Sequence, residues 1–597
     1  MRFSKEISNY YYSNIQLNEG AYFFRSVVNL TKRFIKNDIF DNVEKDTPRL
    51  AEEIQVQERM QNGNTVLCSL LLFNKTVDSG LLPANVFQDH TLTEKRIGYL
   101  VIIEIGHYII IIKKNVSGIS KWLNSLACIG GFELTSALAD SNTILSQAKL
   151  TNMSMNPDAL RNRSYEGNDL FNSMPLYGLN RNILKAARFR AAGNITSVNL
   201  GTARVNQFEK KNIHDLCEWA SDVIDKIDHP NNLNGTIFDS FAQSVSWKSK
   251  KDNIMPKSLL IDVHSFTNLR QIFGLRLIYK QDNGIDLTRH FDWIVNQLNN
   301  CFSLSNTSEN IYVCDNTHNT LEVITSSTGI YLRAKGILTD LFVIDNTNTK
   351  RGIISFINSH RCFVVGFQQP EYIYYGHQLH EDKKLLNNLG AILSVLQPIN
   401  GMDGVTSEKG NVYCAGQDFE KNSVFYVVEE YFKKNNASNI ICDDLGNEWA
   451  DHLVTCGDTL YFVHSKAKGH GTSLSASNFQ DVIAQALKNI GNMNSDKIDN
   501  KRNSFLGYYS TTTKSKCRLG TVDGFISEYK RINQSPNGRQ EVCIAVDFVS
   551  KQKLTQIFKD KNYIRSQNNV VQLIWLLYSF ISSCKDAGMG CKIFCKQ

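Results

Sequence analysis

From residue 419 onward, hydrophobic and polar positions fall into short, sharply bounded blocks that switch between helical and strand period. Residues 419–434 set Val424, Phe425, Val427, Val428, Tyr431 and Phe432 on one face at helical spacing. Residues 439–443 read as a short strand, and 448–456 with 459–467 as a hairpin about Gly457-Asp458. A glycine at the first turn position suits a type II′ turn. The next helix carries Ser477 and Gln480 as a capping box. Phe479, Val482, Ile483, Ala486, Leu487 and Ile490 form its apolar face, and Gly491 lies past its end. Residues 492–540 read as a polar insertion. A buried-looking strand at 541–549 follows, then a short helix at 551–559, a very apolar helix at 570–585 ended by Gly588, and a strand at 591–595. The predicted order is α-β-β-β-α-β-α-α-β.

Upstream the pattern is less regular. Residues 65–74 and 99–112 are sheet candidates, the latter a pair of strands joined at Gly106-His107. In the polar stretch 140–215, RNILKAARFR brings Arg181, Lys185, Arg188 and Arg190 close together, which suits phosphate tracking but reads more readily as a solvated helix face. Between 216 and 400, helical stretches such as 213–227 alternate with strand runs at 258–265, 274–281, 321–327, 340–345 and 362–369. The Gly-rich segment 401–416 is the best boundary. The expected organisation is an α+β region at 1–215 serving recognition or sensing, a central α+β region at 216–405, and an α/β domain at 406–597 with a mixed sheet flanked by helices.

Composition narrows the classes. At 597 residues the chain exceeds one core. Its hydrophobic fraction of 42% and charged fraction of 21% are those of a soluble globular protein, and a net charge of +7 is only a mild bias toward polyanions. Fourteen cysteines without a C-x-x-C argue for reduced thiols in a cytoplasmic setting rather than a disulfide scaffold or zinc ribbon. The first residues lack a signal-peptide core, and the apolar run 99–112 is too interrupted to span a bilayer. Phosphate-loop, H-E-x-x-H and G-x-S-x-G motifs are all missing, so any ATP-driven motor belongs to another subunit.

The hairpin carries the candidate chemistry. A two-residue turn at Gly457-Asp458 pairs Cys456 with Thr459, and counting outward sets Asp451 opposite His464 and Trp449 opposite Lys466. Period-two alternation then projects Asp451, His464 and Lys466 from one face. The loop after the hairpin adds Lys468, Gly469 and His470. A stripe on the following helix (Asn478, Asp481, Gln485, Lys488 and Asn492) borders the same region.

The element order, with Gly446-Asn-Glu448-Trp-Ala-Asp451 on the second strand, His464-Ser-Lys466 on the third and Gln485 on the next helix, resembles the PD-(D/E)xK nuclease superfamily in its Mrr-type, restriction endonuclease-like branch. The resemblance covers about 415–597. It implies a restriction endonuclease-like fold and divalent-metal-dependent cleavage of phosphodiester bonds in DNA, with Mg²⁺ or Mn²⁺ as cofactor. Asp451 would be the metal ligand and Lys466 the lysine that orients water, with His464, also a catalytic candidate, and Glu448 completing the shell. Lys468, His470, Gln485 and Lys488 would contact nucleic acid. A restriction or phage-defence setting follows from that architecture, with a second copy or a partner subunit as the companion. This chain departs from the family at His464, where a carboxylate or Gln is usual; imidazole suits softer ions than Mg²⁺. Strict alternation also turns Glu448 away from Asp451 unless the strand starts later or bulges. The departure leaves a second expectation, a catalytically inactive nuclease-fold protein acting as a nucleic-acid-binding or scaffolding subunit. A phospholipase D-like H-x-K-x-x-x-x-D reading fails because its Asp position, 471, is Gly.

Overall fold

The computed structural model describes every residue except 1–4, 18–19, 27, 44–46, 79–92, 141, 175–180, 192–193, 207–208, 232–236, 281–283, 316–320, 347–348, 383–388, 411–417, 445–446, 470, 495 and 509–515. It is a mixed α/β structure with two compact units, one of Met1–Leu170 with Arg181–Lys383 and one of Phe171–Asn180 with Lys384–Gln597. Among the described residues no helix is long and apolar enough to cross a membrane. The thirteen described cysteines are free thiols.

The first unit holds an eleven-stranded, a nine-stranded and a four-stranded sheet. The apolar runs became strands Thr65–Asp78, Thr93–Ile105 and Tyr108–Lys114, the last two turning at Gly106-His107. The basic segment 181–190 is a strand, Asn182–Ala191, and not a helix face. Alternating Ile183, Ala187 and Phe189 enter the core and give it the two-residue period. Its cations are engaged singly: Lys185 donates to Tyr375 Oη at 2.7 Å, Arg190 donates to the Asn168 carbonyl at 2.8 Å, and Arg188 and Arg181 lie 3.6 and 3.8 Å from Glu166 and Asp382.

The second unit is built on one seven-stranded sheet. Its strands are β1 (Leu396–Pro398), β2 (Asn439–Cys442), β3 (His452–Cys456), β4 (Thr459–Lys466), β5 (Cys517–Leu519), β6 (Arg539–Ser550) and β7 (Gly590–Lys596), in the order β1-β7-β6-β4-β3-β2-β5. β2, β3 and β4 pair antiparallel, while β6 runs parallel to β4 and to β7. Because β1 pairs in parallel with β7, residues 396–398, placed upstream of the expected boundary at 405/406, belong to this sheet.

Helices cover both faces. The longer ones are α1 (Leu389–Val395), α2 (Val424–Lys434), α3 (Ala476–Asn489), α4 (Val522–Gln534), α5 (Lys551–Lys559) and α6 (Asn568–Asp586). α2 lays Val424, Val427, Val428 and Phe432 on Ile440, Val454, Val463, Cys543, Ala545 and Phe594. On the opposite face, α3 stacks Phe479 edge-on against Phe548 of β6, and α4 brings Tyr529 beside Trp449, which stacks on Phe462. Two local expectations are corrected. α3 begins at Ala476, one residue before Ser477, with Ser475 at its N-cap position, so the Ser477–Gln480 capping box does not form. Residues 492–540 are not a bare insertion. They contain β5 and α4, the latter burying Val522, Phe525, Ile526, Tyr529 and Ile532.

Candidate metal and phosphodiester site

The hairpin turn has the expected register. Cys456 pairs with Thr459, and the ladder runs outward to His452 opposite Val463. Gly457 takes φ +55°, the left-handed value a type II′ turn asks of its first central residue. β3 starts at His452, so Asp451 and Glu448 lie in the loop that enters it.

That loop is closed by its own backbone. The Asp443 N–H donates to the Asp451 carbonyl at 3.0 Å, and the Trp449 N–H donates to Asp443 Oδ2 at 2.9 Å. With the strand starting late, alternation no longer turns Glu448 away. Carboxylate oxygens of Asp444, Glu448 and Asp451 all lie within 4.8 Å of one another. Asp451 is buried, and its Oδ2 accepts the Ser465 N–H of β4 at 2.6 Å. Burial pushes its carboxyl well above the usual range. The charges of Asp444, Glu408 and Glu448 push the same way, and the Ser465 N–H only partly offsets them.

One lysine meets the acidic trio directly, and a second meets the neighbouring Glu408. Lys409 Nζ lies 2.6 Å from Asp444 Oδ2, and Lys466, at the end of β4, lies 3.8 Å from Glu408 Oε2. His464 does not share this environment. Its imidazole is 2% exposed, its Nε2 has no hydrogen-bond partner among the described residues, and it faces the charge of Lys488 of α3. Burial and that ammonium bring its pKa down to about 3, so the ring is neutral. Lys468 is exposed, with its backbone N–H on Asp547 Oδ1 at 2.8 Å, while the Gly469 N–H takes Oδ2 at 2.9 Å. Gln485 is half-buried on α3, and His470 lies outside the described residues.

Several groups escaped the sequence pattern. Glu429, on the buried face of α2, is fully buried; Arg518 Nε of β5 donates to its Oε1 at 2.8 Å, and His452 Nε2 lies 3.4 Å away. A carboxylate interrupting the apolar stripe of α2 was the available signal. Lys501 donates to Asp443 Oδ2 and to the Asn447 carbonyl, each at 2.7 Å, and so ties the acidic loop from outside. Asp547 interrupts the apolar run of β6 and anchors the loop after β4.

The donor set suits a hard divalent cation: three carboxylates, two of them buried, with like charges around Asp451 that a cation would offset. The neutral His464, turned toward α3, does not belong to that set. No family model, curated protein or solved structure matches the chain.

Proposed function

We propose that the C-terminal unit is a divalent-metal-dependent endonuclease acting on DNA, with Asp444, Glu448 and Asp451 holding Mg²⁺ or Mn²⁺. The observation that carries this reading is the meeting of these three carboxylates where the loop enters β3, beside a strand that runs parallel to β6 and ends in Lys466. The β2-β3-β4 meander with parallel β6, sandwiched between α2 and α3, supports a restriction endonuclease-like arrangement.

A bound divalent ion would supply positive charge to the phosphoryl oxygens and lower the pKa of attacking water. The chain's own residues do the rest. Asp451 is fixed by the Ser465 N–H, so its free oxygen keeps one orientation as charge develops. Lys466 sits at the strand end, where its ammonium can hold the attacking water and stabilise charge on the pentacoordinate phosphorus. Exposed Lys468 and Lys488 offer contacts to the sugar-phosphate backbone without selecting sequence.

The second reading is a catalytically silent nuclease fold that binds nucleic acid or a partner. What favours it is His464, buried and neutral at the position where the nuclease superfamily the chain resembles commonly has Glu, Asp or Gln. One experiment separates them. Purified protein is incubated with plasmid, linear and single-stranded DNA and with RNA, in Mg²⁺ or Mn²⁺, beside Asp451→Asn and Lys466→Met. Cleavage should require metal and fall by about 10²-fold or more in both variants while DNA binding persists. Equal cleavage by all three proteins would refute the catalytic assignment. DNA binding without cleavage of any substrate would favour the silent fold.

A further inference from the structure

Residues 406–409 cross the start of α2 as a strap. The Thr406 N–H donates to the Asn422 carbonyl at 2.9 Å, the Val424 N–H to Ser407 O at 3.0 Å, and the Phe425 N–H to Glu408 O at 3.1 Å. This backbone pairing sends two side chains of opposite charge toward the acidic site. The Lys409 ammonium lies over the Phe425 ring, 5.3 Å from its centroid, with Asp444 Oδ2 at 2.6 Å and Glu408 Oε1 at 3.8 Å. Glu408 presents its other oxygen to Lys466 Nζ. One strap therefore engages a carboxylate of the trio and the lysine at the end of β4.

We infer that Lys409 is the internal counter-ion of the acidic trio and that a divalent cation enters by displacing it. This rests on the reading of Asp444, Glu448 and Asp451 as a metal site. The Lys409 side chain is 22% exposed and that of Asp444 6%, so the pair is only weakly screened by solvent. A divalent ion bound to Asp444 meets a unit positive charge already on the same carboxylate, and the repulsion acts across a partly buried gap. Metal occupancy and strap position are thus coupled: the cation binds better once Lys409 has swung out.

The coupling predicts an affinity change of unusual sign. Removing a residue from the site should tighten metal binding. Mn²⁺ is titrated calorimetrically into the metal-free full chain and into Lys409→Met, Lys409→Arg and Asp451→Asn, each checked for an unchanged circular dichroism spectrum. Methionine keeps the stem against Phe425 and removes only the charge. Lys409→Met should bind Mn²⁺ at least about tenfold tighter than wild type, with no gain in Lys409→Arg and loss of binding in Asp451→Asn. If wild type binds Mn²⁺ and Lys409→Met binds with equal or lower affinity, the counter-ion inference is overturned and the metal site stands. If wild type and every Lys409 variant fail to bind Mn²⁺, the metal site falls and the inference falls with it.

Discussion

Replacing Lys501 by Met should be among the costliest single changes in the C-terminal unit. The Lys501 side chain is 10% exposed and that of Asp443 is fully buried. The ammonium holds Asp443 Oδ2 and the Asn447 carbonyl, and lies 5.6 and 5.4 Å from the ring centroids of Trp449 and Phe505. Burial pushes the Asp443 carboxyl above its usual value, and Lys501 with the Trp449 N–H pulls it only part of the way back. The pair as a whole therefore stabilises little, because desolvation consumes most of the attraction. Removing one member is another matter. Lys501→Met leaves a buried carboxylate with a single N–H donor and Asn447 O without this one, at a cost of about 3–5 kcal/mol. Methionine fills the stem's volume, so little of that cost comes from a cavity. Asp443→Asn alone should cost about 2–3 kcal/mol, and the double variant hardly more than Lys501→Met, giving a coupling of about 2 kcal/mol. A two-unit chain need not unfold in one step, so amide hydrogen exchange of β3 and β4 is the suitable assay. A coupling below about 0.5 kcal/mol would refute the claim that this pair ties the loop.

Two other buried titratable groups make predictions with a definite pH sign. Burial alone would raise the Glu429 carboxyl, but His452 and Arg518 win and hold it below the usual value. Its stabilisation is complete above the unfolded value of about 4.3 and is lost as pH falls through the depressed folded value. Arg518→Met should therefore cost about 3–5 kcal/mol at pH 7, and the gap from wild type should narrow below pH ~4. Exchange rates of β2 and β5 amides at both pH values check this, and a gap that stays constant counts against it. His464 has the opposite chemistry, an imidazole held neutral down to about pH 3. Below the unfolded value of about 6.5 the unfolded chain binds a proton that the folded chain refuses, so stability falls as pH drops. From pH 6.5 to 5 the loss amounts to about 2 kcal/mol, read from β4 amide exchange, and His464→Gln should abolish that slope. An identical slope in the variant would show that the ring is not the group responsible.

Where period and turn chemistry agreed, the elements were legible. The Gly457-Asp458 hairpin, the helix 551–559 and the strand at 591–595 each combine a strong period with a sharp boundary, and the structure has them at β3–β4, α5 and β7. α4 shows why 492–540 was misread. Its buried positions Val522, Phe525, Ile526, Tyr529 and Ile532 follow helical spacing behind Thr521, whose Oγ1 accepts the Gly524 N–H. Eight polar or glycine positions share the same thirteen residues and mask the stripe for any reading by local composition. At the start of α3 the Ser477–Gln480 spacing matched a capping box, but the helix starts one residue earlier and Ser475 takes the N-cap position.

The acidic site was legible only as far as the strand is regular. Hairpin arithmetic put Asp451 on a face with His464, but Asp451 lies before β3 begins and spends one oxygen on the Ser465 N–H, along the sheet rather than away from it. The same late start brings in Glu448, which strict alternation had turned away. His464 keeps the strand period and so goes to the α3 side with Phe462, the side an in-register residue must take. The groups that complete the site come from segments distant in sequence: Lys409 and Glu408 from the strap before α2, and Lys501 from the stretch after α3. No spacing rule links such segments, because their approach is fixed by which helix ends they cross. The physical trace each leaves in one dimension is a charge that must end up buried, and a buried charge needs a partner. Glu429 in the apolar stripe of α2 and Asp547 in the apolar run of β6 were such charges, and Arg518 and the Lys468 N–H were the partners they required.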